Sequence, residues 1–528
     1  MKNDIINGSF DKYVYRKENL MKRLFLIAVL AVTMTFSACK TDDKKVDDNK
    51  IETTENTTED TTEDTTANDE KEDNKDEQDN KDEQENKDDT EEKVEELELN
   101  DAKKKTLEEN TKTLTDLLAK RDFDKFKENI SEEFKKATEG QDLDVFKMLE
   151  EELGAYKEIV KTEIETQHGY YLTDSRLQFE KGTVDQTIAY NSEMVADGIN
   201  FLNMKKDIIP EEGEKAITLD AGTGYPVKGM IKMPKSEVKA GIVIVDGSGP
   251  NDMNMTLGEN KMMKHLSDQL AEKGIAVLRF NKRTYEYGKE LAKIGMQNKT
   301  LIKDEFIDDA AEGLKTLAKE EGVPADKLFI LGHSQSGSYL PVINETAGNL
   351  AKGYIILSGT PTNIAELSKK QLETVLAEGS ENADEEQVKM MKDNIKTNDE
   401  ILKKIETMSE EELNNPQNYP YGIPGVYVKD LLRYDPIKLY NDSKLPVFIR
   451  NAEFDKQVPV SEIELWKNGL DKKENDSIEE VKGANHMMQP SDGKTKLANL
   501  ITDEYQKDAP IVSSVIDDIS TWIEKITK

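Results

Sequence analysis

The spacing of apolar residues changes along the chain, and each change predicts a different kind of structure. From about residue 101 to about 164, apolar side chains recur mostly at three- and four-residue steps, which predicts helices with one buried face. Apolar and polar residues then alternate within 170–190 and again at 199–202, a pattern typical of strands. Helices followed by a strand meander predict a small α+β domain, with bounds at 101–208.

From about Ala216 onward, short apolar runs alternate with helical stretches such as 261–273. The runs that predict buried strands lie at 240–245, 275–280, 328–331, 353–358 and 446–450. This alternation is typical of a parallel sheet covered by helices, so the sequence predicts an α/β domain over 214–528.

A long insertion separates the last two of these runs. It contains helical stretches with apolar stripes at 366–378, 385–397 and 399–408. We expect the insertion, at about 361–440, to form a helical cap that shapes the substrate pocket.

The N-terminal part of the chain carries a targeting pattern at 21–39. Met21 and two basic residues precede a short apolar run at 24–32, which predicts a secretory signal and is too short for a comfortable membrane span. The run ends in Phe-Ser-Ala before Cys39, which resembles the lipobox of bacterial lipoproteins. The resemblance implies a lipid on Cys39 and an anchor on the extracytoplasmic face of the cell membrane. An uncleaved anchor helix is the alternative, and translation is predicted to start at Met21 rather than Met1.

Residues 40–100 hold nine lysines and 27 aspartates or glutamates, a net charge of −18, with almost no apolar side chains. Such a segment cannot bury enough apolar surface to offset its chain entropy, and repulsion between like charges extends it. We therefore expect a disordered acidic tether that spaces the folded domains from the membrane. A tail that binds cations or a partner is the alternative.

The chain of 528 residues has a formal net charge of −35. Nucleic acid and anionic lipid headgroups carry the same sign, so neither is an expected partner. Cys39 is the only cysteine and there are four histidines. An intrachain disulfide is therefore excluded, and we expect neither a metal site nor an organic cofactor.

The apolar run at 328–331 leads directly into Gly-His-Ser-Gln-Ser-Gly at 332–337. A strand, a tight turn and a helix are the context of a nucleophile elbow, where small residues let strand and helix approach closely. Such an elbow exposes the hydroxyl of Ser334 and places the Gln335 N–H at a helix start, where an anion is favoured. Ser336 stands where the usual pattern has glycine, and we treat this departure as tolerated because serine is small.

A serine nucleophile needs a base to take its proton and an acid to orient that base. In this type of site the acid and then the histidine follow the serine along the chain, and His486 is the only histidine after Ser334. Asp455 follows the last predicted strand and precedes His486 by 31 residues, which leaves room for one helix and one strand. Glu453 is the rival acid, and His333 is expected to pack beside the elbow rather than act in catalysis.

The loop after the first apolar run reads Asp-Gly-Ser-Gly-Pro at 246–250. Its glycines let the backbone approach a substrate oxygen. We predict that the oxyanion hole is formed by the N–H groups of Ser248 and Gln335, with Gly247 as the alternative to Ser248.

Several segments in this part of the chain resemble bacterial α/β-hydrolases of the esterase and serine aminopeptidase-like group. They lie at 247–250, 277–283, 331–335, 434–436 and 485–486. The resemblance covers about 310 residues and implies an α/β-hydrolase fold and ester hydrolysis. The chain departs from the family pattern at Ser336 and at 284–288, where a shorter glycine-rich turn is usual.

The region before it also has a family resemblance. Phe146, the segment Leu-Gly-Ala-Tyr-Lys at 153–157, Gly198 and Phe201 are similar to a small domain of unknown function that precedes some bacterial α/β-hydrolase domains. That resemblance covers about 100 residues and implies a fold like nuclear transport factor 2.

Three functions remain open from the sequence. The first is a serine carboxylesterase acting on a small-molecule ester through an acyl-enzyme on Ser334. The second keeps the same residues but cleaves an amide, as an aminopeptidase-like enzyme, and an acidic groove for a peptide amino terminus would favour it. The third is a surface binding protein with an inert hydrolase fold, supported by Ser336 alone.

Overall fold

The computed structural model describes residues 97–140, 143–288, 290–291, 301–379 and 385–528. Within them the chain forms two compact units, one ending at Asp207 and the other beginning at Ile208. The predicted signal, Cys39 and the tether up to residue 96 lie outside the described residues. Among the described residues, no helix is both long enough and apolar enough to span a membrane.

The first unit begins with side chains that pack just before its first helix. Leu97 and Leu99 contact the core of this unit, and the Glu98 carbonyl accepts a hydrogen bond from Lys103 Nζ. Four helices follow: α1 (Asp101–Ala119), α2 (Phe123–Glu128), α3 (Glu132–Ala137) and α4 (Val145–Leu153). An Asn, Asp or Ser precedes each helix and accepts a hydrogen bond from a backbone N–H of its first turn, which determines where the helix starts.

An antiparallel four-stranded sheet completes the first unit. Its strands pair in chain order: β1 (Tyr156–Gln167), β2 (Tyr170–Phe179), β3 (Gly182–Tyr190) and β4 (Ala196–Lys206). Leu107, Leu114 and Leu118 of α1 share one buried core with β2 and β3 side chains such as Leu177 and Ile188. This architecture agrees with the predicted small α+β domain.

The helical pattern that we extended to about residue 164 is wrong beyond Leu153. Gly154 ends α4 with a φ of 75°, and β1 follows. The pairing of β1 with β2 has irregularities between Tyr156 and Glu158 and between Ile159 and Lys161. An extra residue at a bulge shifts the strand alternation, so the apolar residues of β1 imitate a helical spacing.

The second unit is built on an eight-stranded sheet with a separate short hairpin. The strands are β5 (Glu214–Leu219), β6 (Val227–Lys232), β7 (Ala240–Val245), the hairpin strands β8 (Thr256–Leu257) and β9 (Asn260–Lys261), β10 (Ile275–Phe280), β11 (Leu328–His333), β12 (Ala351–Leu357), β13 (Val447–Ala452) and β14 (Ser477–Val481). Across the large sheet their order is β14-β13-β12-β11-β7-β10-β6-β5. All neighbouring strands in the part of the sheet ordered β14-β13-β12-β11-β7-β10 are parallel. Strand β6 is antiparallel to both β5 and β10.

Helices cover both faces of this sheet. They are α5 (Met262–Glu272), α6 (Arg283–Glu286), α7 (Asp308–Leu317), α8 (Leu340–Thr346), α9 (Ile364–Gly379), α10 (Glu385–Lys404), α11 (Glu410–Asn414), α12 (Gly425–Leu431), α13 (Pro436–Ser443), α14 (Glu462–Gly469) and α15 (Ser513–Ile526). In β7, Val243 and Val245 join one core with α7, while Ile242 and Ile244 join the opposite core with α5 and α15. Because both faces are buried, the strand reads as a continuous apolar run.

The cap insertion contains α9 to α13 between strands β12 and β13. The two helices predicted at 385–397 and 399–408 are instead the single helix α10. The fold class is as predicted: an α/β domain with a helical insertion, preceded by an α+β unit. The sheet is mixed, where a parallel sheet was predicted, because β5 and β6 add antiparallel pairs at one edge.

Candidate active site

The turn after β11 holds Ser334 in an unusual backbone conformation. Its φ is 56°, in the left-handed region that residues with a side chain seldom adopt. A Cβ atom on Gly332 would lie 2.8 Å from Gly337 Cα, so this turn requires glycine at 332. His333 and Gln335 are buried on either side, whereas Ser334 keeps part of its surface exposed.

The departure at Ser336 has a structural explanation. Its single hydroxyl proton is shared between two acceptors, the Val245 carbonyl oxygen at 2.7 Å and the His333 carbonyl oxygen at 3.0 Å. The side chain is fully buried and joins the end of β7 to the turn that bears Ser334. Serine therefore stabilises this turn where the usual pattern has glycine.

Asp455 and His486 form a buried pair. His486 Nδ1 lies 2.7 Å from Asp455 Oδ2, and the other carboxylate oxygen accepts the backbone N–H groups of Gln457 and Val458. Because a carboxylate only accepts, the imidazole donates from Nδ1 and leaves Nε2 free for a second partner. The predicted helix and strand between the two residues are α14 and β14.

Glu453, the rival acid, has different partners. Its carboxylate accepts the Gly483 N–H at 2.9 Å and lies 3.5 Å from Lys482 Nζ. The structure therefore brings Asp455, and not Glu453, against the His486 ring.

The glycine-rich loop after β7 lies against Ser334. A Cβ atom on Gly247 would be 2.9 Å from Ser334 Cβ and 3.4 Å from its Oγ. The Gly247 N–H donates to Asp246 Oδ1 at 2.6 Å, so this alternative oxyanion donor is already engaged. Ser248 is exposed at the cavity wall, and Gln335 lines the same cavity.

The His333 side chain packs beside the elbow, as expected, and also makes a hydrogen bond. Its Nε2 lies 2.9 Å from the backbone carbonyl oxygen of His486, and the two rings are 4.7 Å apart between centroids. A carbonyl only accepts, so the His333 ring donates this hydrogen bond. The residue before the serine thus holds the loop that carries the histidine.

A cavity of about 150 Å³ opens beside these residues. Its lining includes Ser334, His486, Gln335, Ser248 and the start of the cap insertion. The further lining residues are Gly247, Asn251, Met255, Leu257, His333, Ser338, Tyr339, Thr360, Thr362, Ile364, Leu367, Ser368, Gln371, Gln457, Met487, Ile501 and Tyr505. Helix α9 supplies the cap contribution, as expected, whereas the contributions from the β8 region and from 501–505 were not predicted.

Two threonine hydroxyls in the cavity wall are held by hydrogen bonds to one buried glutamate. Thr360 and Thr362 each donate to Glu462 Oε2 at 2.6 Å, and Lys370 Nζ donates to Oε1 at 3.0 Å. Burial, together with the Asp455 carboxylate, raises the pKa of Tyr505 well above its usual range, so its phenol stays neutral. The polar part of the wall therefore presents uncharged groups beside the apolar side chains of the lining.

Three features define an α/β-hydrolase fold: the order of strands in the large sheet, the strained turn after β11, and the Asp455–His486 pair. Among the described residues, no group of three or more His, Cys, Asp or Glu side chains is arranged to hold a metal ion.

Two sequence comparisons with known proteins give matches. Residues 111–198 match a family model described as a protein of unknown function, DUF3887. Esterase EstD of Thermotoga maritima is 29% identical over 390 residues, which cover 72% of this chain and 86% of the relative. The match in the first unit confirms the predicted small domain of unknown function.

Solved structures are also similar to part of this chain. Est1E from Butyrivibrio proteoclasticus is 16% identical with a TM-score of 0.35 and covers 59% of this chain and 98% of its own. A thermophilic esterase from Thermogutta terrifontis is 13% identical with a TM-score of 0.33 and covers 60% and 100%.

Replacing Gly247 with alanine should slow the reaction of Ser334 with a fluorophosphonate probe by roughly tenfold or more, because the new methyl group displaces the loop from the serine. The second-order labelling rate measures this effect. Gly288→Ala is the control, since a Cβ there meets nothing within 4 Å. Equal labelling of both variants would contradict the assigned position of the loop.

Proposed function

We propose that the chain is a serine carboxylesterase in which Ser334, His486 and Asp455 form a catalytic triad. The observation that carries the proposal is the 2.7 Å contact between His486 Nδ1 and Asp455 Oδ2, beside a strained turn that exposes Ser334 to the same cavity. The similarity to Esterase EstD over most of both chains supports an ester as the substrate.

The reaction follows from the roles of these groups. His486 Nε2 takes the proton of the Ser334 hydroxyl as the oxygen attacks the ester carbonyl carbon, and the imidazolium then gives that proton to the leaving alcohol. Water, activated by the same histidine, hydrolyses the acyl-enzyme. Asp455 holds the imidazole and stabilises its cationic form, since its remaining hydrogen bonds keep the carboxylate fixed.

The oxyanion formed in each step needs donors at the end of the sheet. The backbone N–H groups of Ser248 and Gln335 are the proposed pair, one from each side of Ser334. The engagement of the Gly247 N–H with Asp246 supports Ser248 over its neighbour.

The cavity wall favours an ester over a peptide. A peptide amino terminus is a cation and needs an anionic partner when it is desolvated. The side chains that line the described cavity include no Asp, Glu, Lys or Arg. A small, uncharged ester fits this neutral lining best.

Replacing Ser334 with alanine should lower the turnover of p-nitrophenyl acetate at least a thousandfold, because the attacking oxygen is removed. Steady-state assays of the purified chain measure the loss, with Ser461→Ala, an exposed serine outside the cavity, as the control. Assays on amino-acid amides run in parallel should show far slower turnover. Retained ester turnover in Ser334→Ala would refute the nucleophile, and a wild-type chain that neither hydrolyses esters nor reacts with a fluorophosphonate would indicate an inert fold.

Asp455→Asn should reduce kcat by about four orders of magnitude, because an amide in that position favours the wrong imidazole tautomer. Glu453→Gln is the matched control, since its carboxylate bonds to Gly483 and not to the histidine, and it should change kcat little. A larger loss in Glu453→Gln than in Asp455→Asn, from kcat values measured on one ester, would reverse the assignment of the acid.

We also propose that the chain is anchored outside the cytoplasm through a lipid on Cys39. The support is the sequence alone: a basic start at Met21, a short apolar run, and small residues immediately before the only cysteine. The acidic segment that follows Cys39, up to residue 96, would then separate the enzyme from the membrane surface.

In bacteria expressing the full chain, Cys39→Ala should abolish incorporation of radiolabelled palmitate and shift the protein out of the washed membrane fraction. The thioether that carries the lipid cannot form without the thiol. Thr53→Ala, in the acidic segment, is the control and should remain membrane-bound and labelled. Palmitate labelling that survives the Cys39 substitution would contradict the anchor.

A further inference from the structure

A buried chain of hydrogen bonds lies behind the cavity wall and connects four side chains that are distant in sequence. Lys282 Nζ donates to Glu305 Oε1 at 2.5 Å, and the Tyr427 hydroxyl donates to Glu305 Oε2. Gln335 Nε2 donates to the Tyr427 oxygen at 3.2 Å. We call Lys282, Glu305, Tyr427 and Gln335 the buried hydrogen-bond chain.

One end of the buried hydrogen-bond chain reaches the loop at 247–251, which carries the proposed oxyanion donor Ser248. Lys282 Nζ also donates to the Gly247 carbonyl at 2.6 Å. That carbonyl and the Ser248 N–H belong to the same planar peptide unit, in which the C=O and N–H bonds point in opposite directions. A charged donor that holds the carbonyl therefore fixes the direction of the Ser248 N–H and strengthens its dipole.

Lys282 is held at its backbone as well. Its N–H donates to the Asn251 carbonyl at 3.1 Å, and the Asn251 amide donates to the Ser248 carbonyl at 3.0 Å. Both ends of the lysine thus contact the loop at 247–251, which leaves the loop little freedom to rotate.

The other end of the buried hydrogen-bond chain is Gln335, the residue of the second proposed oxyanion donor. The Gln335 side chain is attached to Tyr427, while its backbone N–H is the other proposed oxyanion donor. Tyr427 lies on α12, within the cap insertion. The buried hydrogen-bond chain therefore connects the loop after β7, the turn after β11 and the cap insertion.

Burial makes these contacts strong and costly to break. Lys282, Glu305 and Tyr427 are 1%, 5% and 6% exposed. Burial and the Glu305 carboxylate raise the pKa of Tyr427 well above its ordinary value, so the phenol remains a donor. A charge pair in a site of low polarity is rigid when every member is satisfied.

We propose that Lys282, Glu305 and Tyr427 are positioning residues for the oxyanion hole, which hold the Ser248 and Gln335 N–H groups at the spacing that the tetrahedral intermediate requires. The proposal rests on the esterase function above. None of the three lines the cavity, so they act through the loop and the turn and not on the substrate. Misplaced donors weaken binding of the transition state more than binding of the substrate.

The first test is Tyr427→Phe, which breaks the chain at its centre without removing a charge. We expect kcat on p-nitrophenyl acetate to fall by about fivefold with KM nearly unchanged, a smaller effect than complete loss of one oxyanion donor at roughly a hundredfold. The affinity for a trifluoromethyl ketone, whose adduct with Ser334 places an oxyanion in the hole, should fall by the same factor.

The matched control is Tyr421→Phe. Tyr421 is also in the cap insertion and 5% exposed, but its hydroxyl has no hydrogen-bond partner among the described residues. This variant should keep both kcat and the ketone affinity, so a loss in both tyrosine variants would overturn the proposal.

A second variant removes the charge pair as a unit. Lys282→Met combined with Glu305→Gln leaves no unpaired buried charge, and kcat should fall by roughly tenfold or more while the ketone affinity falls in parallel. Lys473→Met is the control, because Lys473 also donates to a backbone carbonyl, that of Tyr440, away from the cavity. The melting temperature of each variant reports folding separately.

The outcomes separate the two proposals. A wild-type chain without ester turnover contradicts the esterase function, and the rate of fluorophosphonate labelling then still compares the variants. Variants that lose thermal stability but keep kcat and the ketone affinity would overturn the positioning role and leave a purely structural one.

Discussion

The steric crowding at the end of β11 is the constraint on which the site depends. Gly332 and Gly337 approach so closely that any side chain at 332 would collide with the backbone, and Ser334 adopts a positive φ. Such a turn projects the serine oxygen away from the sheet. The carboxyl ends of the parallel strands meet at the same edge of the sheet, so the loop after β7 lies against Ser334 and Asp455, after β13, lies at the same edge against His486.

Around this turn, neighbouring loops hold one another through polar contacts. Ser336 joins the turn to the end of β7, and the His333 ring holds the His486 carbonyl. The Asp455 carboxylate accepts from three donors and is held in place beside the His486 ring. These contacts preorganise the site, so little rearrangement is needed as charge develops.

Much of this arrangement was predictable because it is local or follows chain order. The central strands β7, β10, β11 and β13 are buried on both faces, so they appear as apolar runs, and the Gly-His-Ser sequence follows one of them directly. Asp455 was found by its place after a strand. In contrast, β1 was read as helix because its bulges disturb the alternation of side chains.

Features that depend on tertiary contacts were not predictable. The choice between Gly247 and Ser248 turns on a hydrogen bond to Asp246, and no pattern in the loop reveals it. Lys282 donates to Glu305, before α7, and Glu305 also accepts from Tyr427 of α12, more than a hundred residues further along the chain. No sequence pattern joins these three residues. Likewise, Ile501 and Tyr505 line the cavity only because the C-terminal segment returns to it.

The placement of α9 has a consequence for how this scaffold could diversify. The groups proposed to perform the chemistry lie at strand ends, whereas Ile364, Leu367, Ser368 and Gln371 of α9 form a separate wall within a single insertion. Evolution can therefore exchange residues along that helix and alter substrate choice while the reactive groups keep their geometry. The pocket wall and the proposed reactive groups are thus encoded in different stretches of one chain, so one can change without the other.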